Sequence, residues 1–189
     1  MTARRTGEPA DGGQPDGAQL DEVDEIVAAW HRERPDLDVE PLQVLSRLDR
    51  LAGALGERRA AIFAEHGLRR HEFDVLVALR RSGGRFQLTA GELALRTYVT
   101  SGTMTSRLDG LTARGLVMRT PDSLDGRLVR VALTPDGREI VDGAFEALLA
   151  AERELLRPLP PETLGPLSEA LRALLASATS SHPSGTLEP

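Results

Sequence analysis

Ser101, Gly102, Thr103, Ser106, Arg107 and Arg114 lie on one side of a short segment opened by Thr100. Its other side carries Met104, Leu108 and Leu111 at i, i+4 and i+7. Hydroxyls and backbone amides gathered at the start of a helix suit phosphate oxygens, and an arginine further along can pair with a guanine edge. Taken alone, this side reads equally well as a solvated polar face. Further along stands Asp125-Gly126-Arg127, in which the glycine permits a tight turn and Arg127 projects a planar cation suited to a narrow, electronegative minor groove. Asp125 reads as a partner that holds the turn or orients an arginine. Together the two features point to contact with double-stranded DNA through Thr100, Ser101, Gly102, Thr103, Ser106, Arg107, Arg114 and Arg127.

The elements that must position these residues are mostly helical. Val23, Ile26, Val27 and Trp30 follow i, i+3, i+4, i+7 on a short helix that Pro35 helps to end. A long amphipathic helix opens at Pro41 and carries Leu42, Leu45, Leu48, Leu51, Leu55 and Ile62 on one side. Phe73, Leu76, Val77 and Leu79 mark a third helix, stopped by Ser82-Gly83-Gly84. Thr89-Ala90-Gly91-Glu92 has capping-box form and starts a short helix. Thr100 caps the next one, and Gly115 closes it. Two short helices so closely joined make a helix-turn-helix.

After Gly115 the apolar period changes to two. Leu116 to Met118 and Leu128 to Leu133 form runs separated by the turn chemistry of residues 122–126, which predicts a β-hairpin. A hairpin directly after a helix-turn-helix makes a wing: the second helix enters the major groove while the hairpin reaches the flanking minor groove. Thr134-Pro135 then caps a long helix through Ile140, Ala144, Leu148, Ala151 and Leu155, broken by Pro160 and Pro161. A last helix carries Leu164, Leu167, Leu171, Leu174 and Leu175.

The formal net charge of −6 is unusual for a DNA binder, but it is unevenly distributed. Residues 1–25 set two arginines against seven acids, a net of −5, whereas residues 96–130 set six arginines against three aspartates, a net of +3. The basic stretch coincides with the proposed DNA-reading elements. Cysteine is absent, which removes disulfides and thiolate metal sites. His31, His66 and His71 form no i, i+4 pair, so a metal site would need carboxylates from several helices. No nucleophile–base set, phosphate loop or HExxH sequence is present, and the chain reads as a non-enzyme with no cofactor. With no apolar run of membrane length and no signal segment, it is expected in the cytoplasm, away from membranes.

The segments LTAGELA, TSGTMTSRLDGLTARGLVMR, DGR and VALT, between Leu88 and Thr134, resemble the MarR family of bacterial regulators. The resemblance spans about Pro41 to Ala178. It implies a mainly α fold with a small β-hairpin (α+β), built as a winged helix-turn-helix homodimer in which the first long helix and the last two pack against the partner copy. The domain is expected over residues 20–179, between a disordered acidic tail (1–19) and a second disordered tail (180–189). Such a dimer reads a pseudo-palindromic operator.

The segment from Trp30 to Asp38, on an extra N-terminal helix, resembles the urate-responsive, PecS-like branch of that family. The resemblance implies a ligand site of Trp30, Asp74, Arg107 and Arg119, in which an anionic purine such as urate stacks near Trp30 and pairs with Arg107. Its charge would repel Asp74 and disturb an Asp74–Arg119 ion pair, relieving repression. Another aromatic or organic acid, a metal ion, or no ligand at all remain alternatives.

Overall fold

A computed structural model describes residues 20–84, 86–122 and 128–180. The expected N-terminal tail and the tip Asp125-Gly126-Arg127 lie outside the described residues. So does the expected C-terminal tail except Ser180, which ends the last helix. The elements run α1 (Glu22–Glu33), α2 (Glu40–Glu65), α3 (Arg70–Arg80), β1 (Gln87–Thr89), α4 (Ala90–Arg96), α5 (Ser101–Ala113), β2 (Val117–Pro121), β3 (Val129–Leu133), α6 (Pro135–Leu156) and α7 (Pro161–Ser180). Contacts divide the chain into two units at Glu57.

In the first unit, Asp21 caps α1 in a capping box with Asp24, its carboxylate accepting from the Val23 and Asp24 amides while Asp24 accepts from the Asp21 amide. Val23 and Val27 bury their side chains with Val39, and Leu42 packs against them. Arg47 of α2 pairs with both Asp21 and Asp24 at 2.8 Å. The guanidinium beside Asp21 holds that carboxyl below its ordinary range, and the two backbone amides it caps act in the same direction.

The second unit holds the main core. Leu76, Leu79, Leu93, Met104, Leu108 and Leu111 are fully buried, each contributing about 1.5–3 kcal/mol of transfer free energy. Phe63 and Phe73 stack in the same core with ring centroids 4.0 Å apart. α6 starts on the Thr134 cap, whose hydroxyl accepts from the Gly137 amide at 3.0 Å and donates to the Gly115 carbonyl at 2.7 Å. Gly137 is obligatory here, because a Cβ at that position would come within 1.9 Å of the Leu116 carbonyl oxygen.

The expected hairpin is present as β2 and β3, and β1 adds a third strand to it. The sheet has three antiparallel strands in the order β1-β3-β2, with Val117 opposite Leu133, Arg119 opposite Val131 and Leu88 also opposite Val131. β1 covers the second edge of β3, so the wing grows from a sheet anchored beside α4. The apolar stripes of the outer helices are less buried than their spacing suggests. On α2 only Phe63 is buried, and on α7 no residue is. No helix among the described residues is long and apolar enough to cross a membrane.

Candidate nucleic-acid interface

α4 and α5 are fixed by caps at both starts. Thr89 Oγ1 accepts from the Glu92 amide, while Glu92 accepts from the Thr89 amide at 2.7 Å. That amide, followed by the Thr89 hydroxyl, holds the Glu92 carboxyl below its ordinary range. At α5, Thr100 Oγ1 accepts from the Thr103 amide at 3.3 Å and lies 3.0 Å from Thr103 Oγ1. The Thr100 hydroxyl is therefore occupied as a cap. Met104, Leu108 and Leu111 face the core, which leaves Ser101, Gly102, Thr103 and Ser106 exposed and Arg107 half-buried on the outer side. An exposed helix start with a hydroxyl-rich first turn can receive phosphate oxygens, since its first amides lack carbonyl partners within the helix.

The arginines of the basic stretch do different work. Arg114, expected as a DNA contact, pairs within the protein with Glu72 at 2.8 Å and donates to the Gly67 carbonyl at 2.7 Å. A guanidinium so engaged serves to position the end of α5. Arg130 pairs with Asp122 at the base of the wing, where the Asp122 amide also donates to the Leu128 carbonyl at 2.8 Å. Neither partner was singled out from sequence. Arg107 makes no ion pair or hydrogen bond among the described residues. Arg127 lies outside them.

Arg119 also has a different partner from the expected one. It pairs with Asp109 of α5 at 2.7 Å, and not with Asp74. Asp74 is half-buried on α3 and has no ion pair among the described residues. The reason is local geometry: Asp109 stands on the outward side of α5, and Arg119 on β2 reaches it directly from the adjoining strand. Asp74, Arg107 and Arg119 all belong to the second unit. Trp30 belongs to the first, where it is 47% exposed and contributes nothing to the buried cluster of Val23, Val27 and Val39. No group of three or more His, Asp or Glu among the described residues is arranged to hold a metal ion.

A family model described as MarR family matches residues 66–128, which run from just before α3 to the residue before β3. The chain is 35% identical to the HTH-type transcriptional regulator PecS of Dickeya dadantii over 82% of its length and 90% of that protein. A MarR family protein from Bacillus stearothermophilus superposes with a TM-score of 0.63 at 26% identity, covering 76% of this chain and 99% of the other. A structure of Bordetella bronchiseptica BpsR, whose DNA binding is described as regulated by 6-hydroxynicotinic acid, gives a TM-score of 0.53 at 26% identity, over 68% of this chain and 98% of that one. With α4 and α5 as its helix-turn-helix and β2 and β3 as its wing, the chain belongs to the MarR family and is a DNA-binding transcription regulator.

Proposed function

We propose that the protein is a homodimeric repressor whose grip on a pseudo-palindromic operator is released by a small anionic aromatic ligand, with urate or a related purine as the first candidate. The observation that carries the ligand reading is Arg107. It is half-buried and without an ion pair among the described residues, on the helix that also bears the Asp109–Arg119 pair. An anion drawn to Arg107 adds negative charge near α5 in a partly screened setting, where such interactions are worth more than in bulk water. We read Asp109–Arg119, which ties α5 to the wing strand β2, as the link such an anion perturbs, with Asp74 as the carboxylate it would repel.

Trp30 enters this reading through the sequence resemblance alone. The BpsR likeness supports an aromatic carboxylate as the alternative to a purine. Operator contacts are assigned to Ser101, Gly102, Thr103, Ser106 and Arg107 on α5, to Arg114 at its end and to Arg127 at the wing, with Thr100 as the cap that presents them. Dimerisation is supported by α7, where Leu164, Leu167, Leu171, Leu174 and Leu175 are 37–66% exposed in the single chain. Such a stripe along one helix is what an apolar interface needs.

The deciding experiment is a gel shift of the full-length protein on the region upstream of its own coding sequence, titrated with urate and, separately, with 6-hydroxynicotinic acid. Release by either compound at concentrations that leave the fold intact supports the reading. A stable complex unaffected by both at millimolar levels sinks the ligand half, and absence of any complex sinks the operator half.

A further inference from the structure

Two residues other than glycine hold a left-handed backbone among the described residues, Phe86 at φ 53° and Tyr98 at φ 54°. In that region a Cβ crowds the neighbouring carbonyl, so something in the surroundings must offset the strain. For Phe86 the offset is visible. The guanidinium carbons of Arg80 and Arg138 lie 4.7 and 5.2 Å from its ring centroid, and its carbonyl accepts from the Leu133 amide.

Tyr98 has no such support among the described residues. It is 95% exposed, and its hydroxyl makes no hydrogen bond among the described residues. Leu95, whose carbonyl accepts from the Tyr98 amide, is 78% exposed on the side of α4 opposite the buried Leu93 and Ala94. Folding gains nothing from a phenol ring at this turn. Glycine would make the same bend without strain and without exposing apolar surface.

Position supplies the missing reason. Tyr98 lies in the turn of the helix-turn-helix, two residues before the Thr100 cap and beside the exposed Ser101, Gly102 and Thr103. In this motif the first helix crosses the DNA backbone as the second enters the groove, and tyrosine hydroxyls are among the groups that donate to phosphates. We propose that Tyr98 is a DNA-backbone contact, its Oη donating to a phosphate oxygen beside the major groove while its ring and Leu95 cover the adjoining sugar. This rests on α5 being the recognition helix. The contact is neutral, so it releases no counterion of its own, and it touches no base edge, so it carries no sequence information.

Those two properties define the test. Full-length Tyr98→Phe and Tyr98→Gly are compared with the native chain on the upstream duplex and on a scrambled duplex of equal length, across a salt series, with melting temperature and light scattering recorded. Tyr98→Phe should weaken binding about five- to tenfold, the usual scale for one hydrogen bond. Tyr98→Gly should weaken it further while melting no lower than the native protein. Both losses should be equal on the two duplexes, with the slope of log K against log salt unchanged.

Native-like binding by both variants overturns the proposal. So does a lower melting temperature in Tyr98→Gly, which would give the ring a structural role, or a changed oligomeric state, which would make Leu95 and Tyr98 a protein contact. A native chain that binds neither duplex overturns the recognition-helix reading itself, and this inference with it.

Discussion

Arg114, the C-cap of α5, reaches back to Glu72 at the start of α3, pairing at 2.8 Å and donating at the same time to the Gly67 carbonyl. Glu72 accepts from the Arg69 amide through its other oxygen, so this nearly buried carboxylate has partners on both sides. Burial pushes its pKa up, but the Arg69 amide and the Arg114 guanidinium outweigh burial and leave it below its ordinary value near 4.5. The end of the recognition helix is thereby fixed to the start of α3.

Replacing Arg114 by methionine should cost about 1–2 kcal/mol in urea unfolding, less than for a fully buried pair because the guanidinium is partly exposed. A lowered folded-state pKa means that Glu72 contributes its stability above about pH 4.5 and loses it as pH falls through the folded value. The difference between native and Glu72→Gln proteins should therefore shrink as pH falls below the ordinary carboxylate value near 4.5. A difference that stays constant as pH falls would show that folding does not lower the Glu72 pKa.

Gly137 offers a second stability test, at the joint between the wing and α6. A methyl there meets the Leu116 carbonyl oxygen, which itself accepts from the Thr134 amide, so neither side can yield cheaply. Gly137→Ala should lose about 1–3 kcal/mol despite alanine's better helix propensity. Thermal unfolding that matched the native protein would mean that this joint relaxes freely.

The helices were legible in sequence because their signals are local. The Thr89–Glu92 box, the Thr100 and Thr134 caps and Gly115 at φ 70° each act within a few residues. β1 escaped notice because three residues leave no room for alternation, and its pairing with β3 crosses more than forty positions. The arginine partners were hidden for a similar reason. Composition marked residues 96–130 as basic, yet Arg114, Arg119 and Arg130 each close on an acid that only the fold brings near. The strained backbone of Tyr98 has no sequence signal, since nothing in the residue type announces a positive φ.

The leucines of α7 predict an oligomer that a single charge can break. Leu171 and Leu174 are 40% and 41% exposed in the isolated chain. A carboxylate introduced into an apolar interface remains unpaired there and costs several kcal/mol. Leu171→Glu should shift light scattering from dimer to monomer and weaken operator binding, while the helix content of the second unit changes little. A dimer that survives Leu171→Glu and Leu174→Glu together would place the interface elsewhere.

Coupling between ligand and operator gives the last test. If an anion bound at Arg107 acts through Asp109–Arg119, then Asp109→Asn and Arg119→Ala should uncouple the two sites by the same factor, within the roughly 5- to 150-fold range of typical allosteric effects. Fold stability should change by less than about 1 kcal/mol, because Asp109 is largely exposed. Reciprocity requires DNA to weaken the ligand by the factor by which the ligand weakens DNA. Arg107→Ala should abolish ligand binding, and it should also weaken operator binding, with the salt slope reduced by about one unit, as expected for Arg127→Ala at the wing. Trp30 is the only tryptophan, so its fluorescence reports ligand binding without interference, and Trp30→Phe should lower ligand affinity while sparing the operator. Asp74→Asn separates the possible routes: as the repelled carboxylate, its loss should preserve or improve ligand binding and blunt release. If Asp74→Asn blunts release while Asp109→Asn does not, the signal runs through α3, and the tie between α5 and β2 is a structural brace alone.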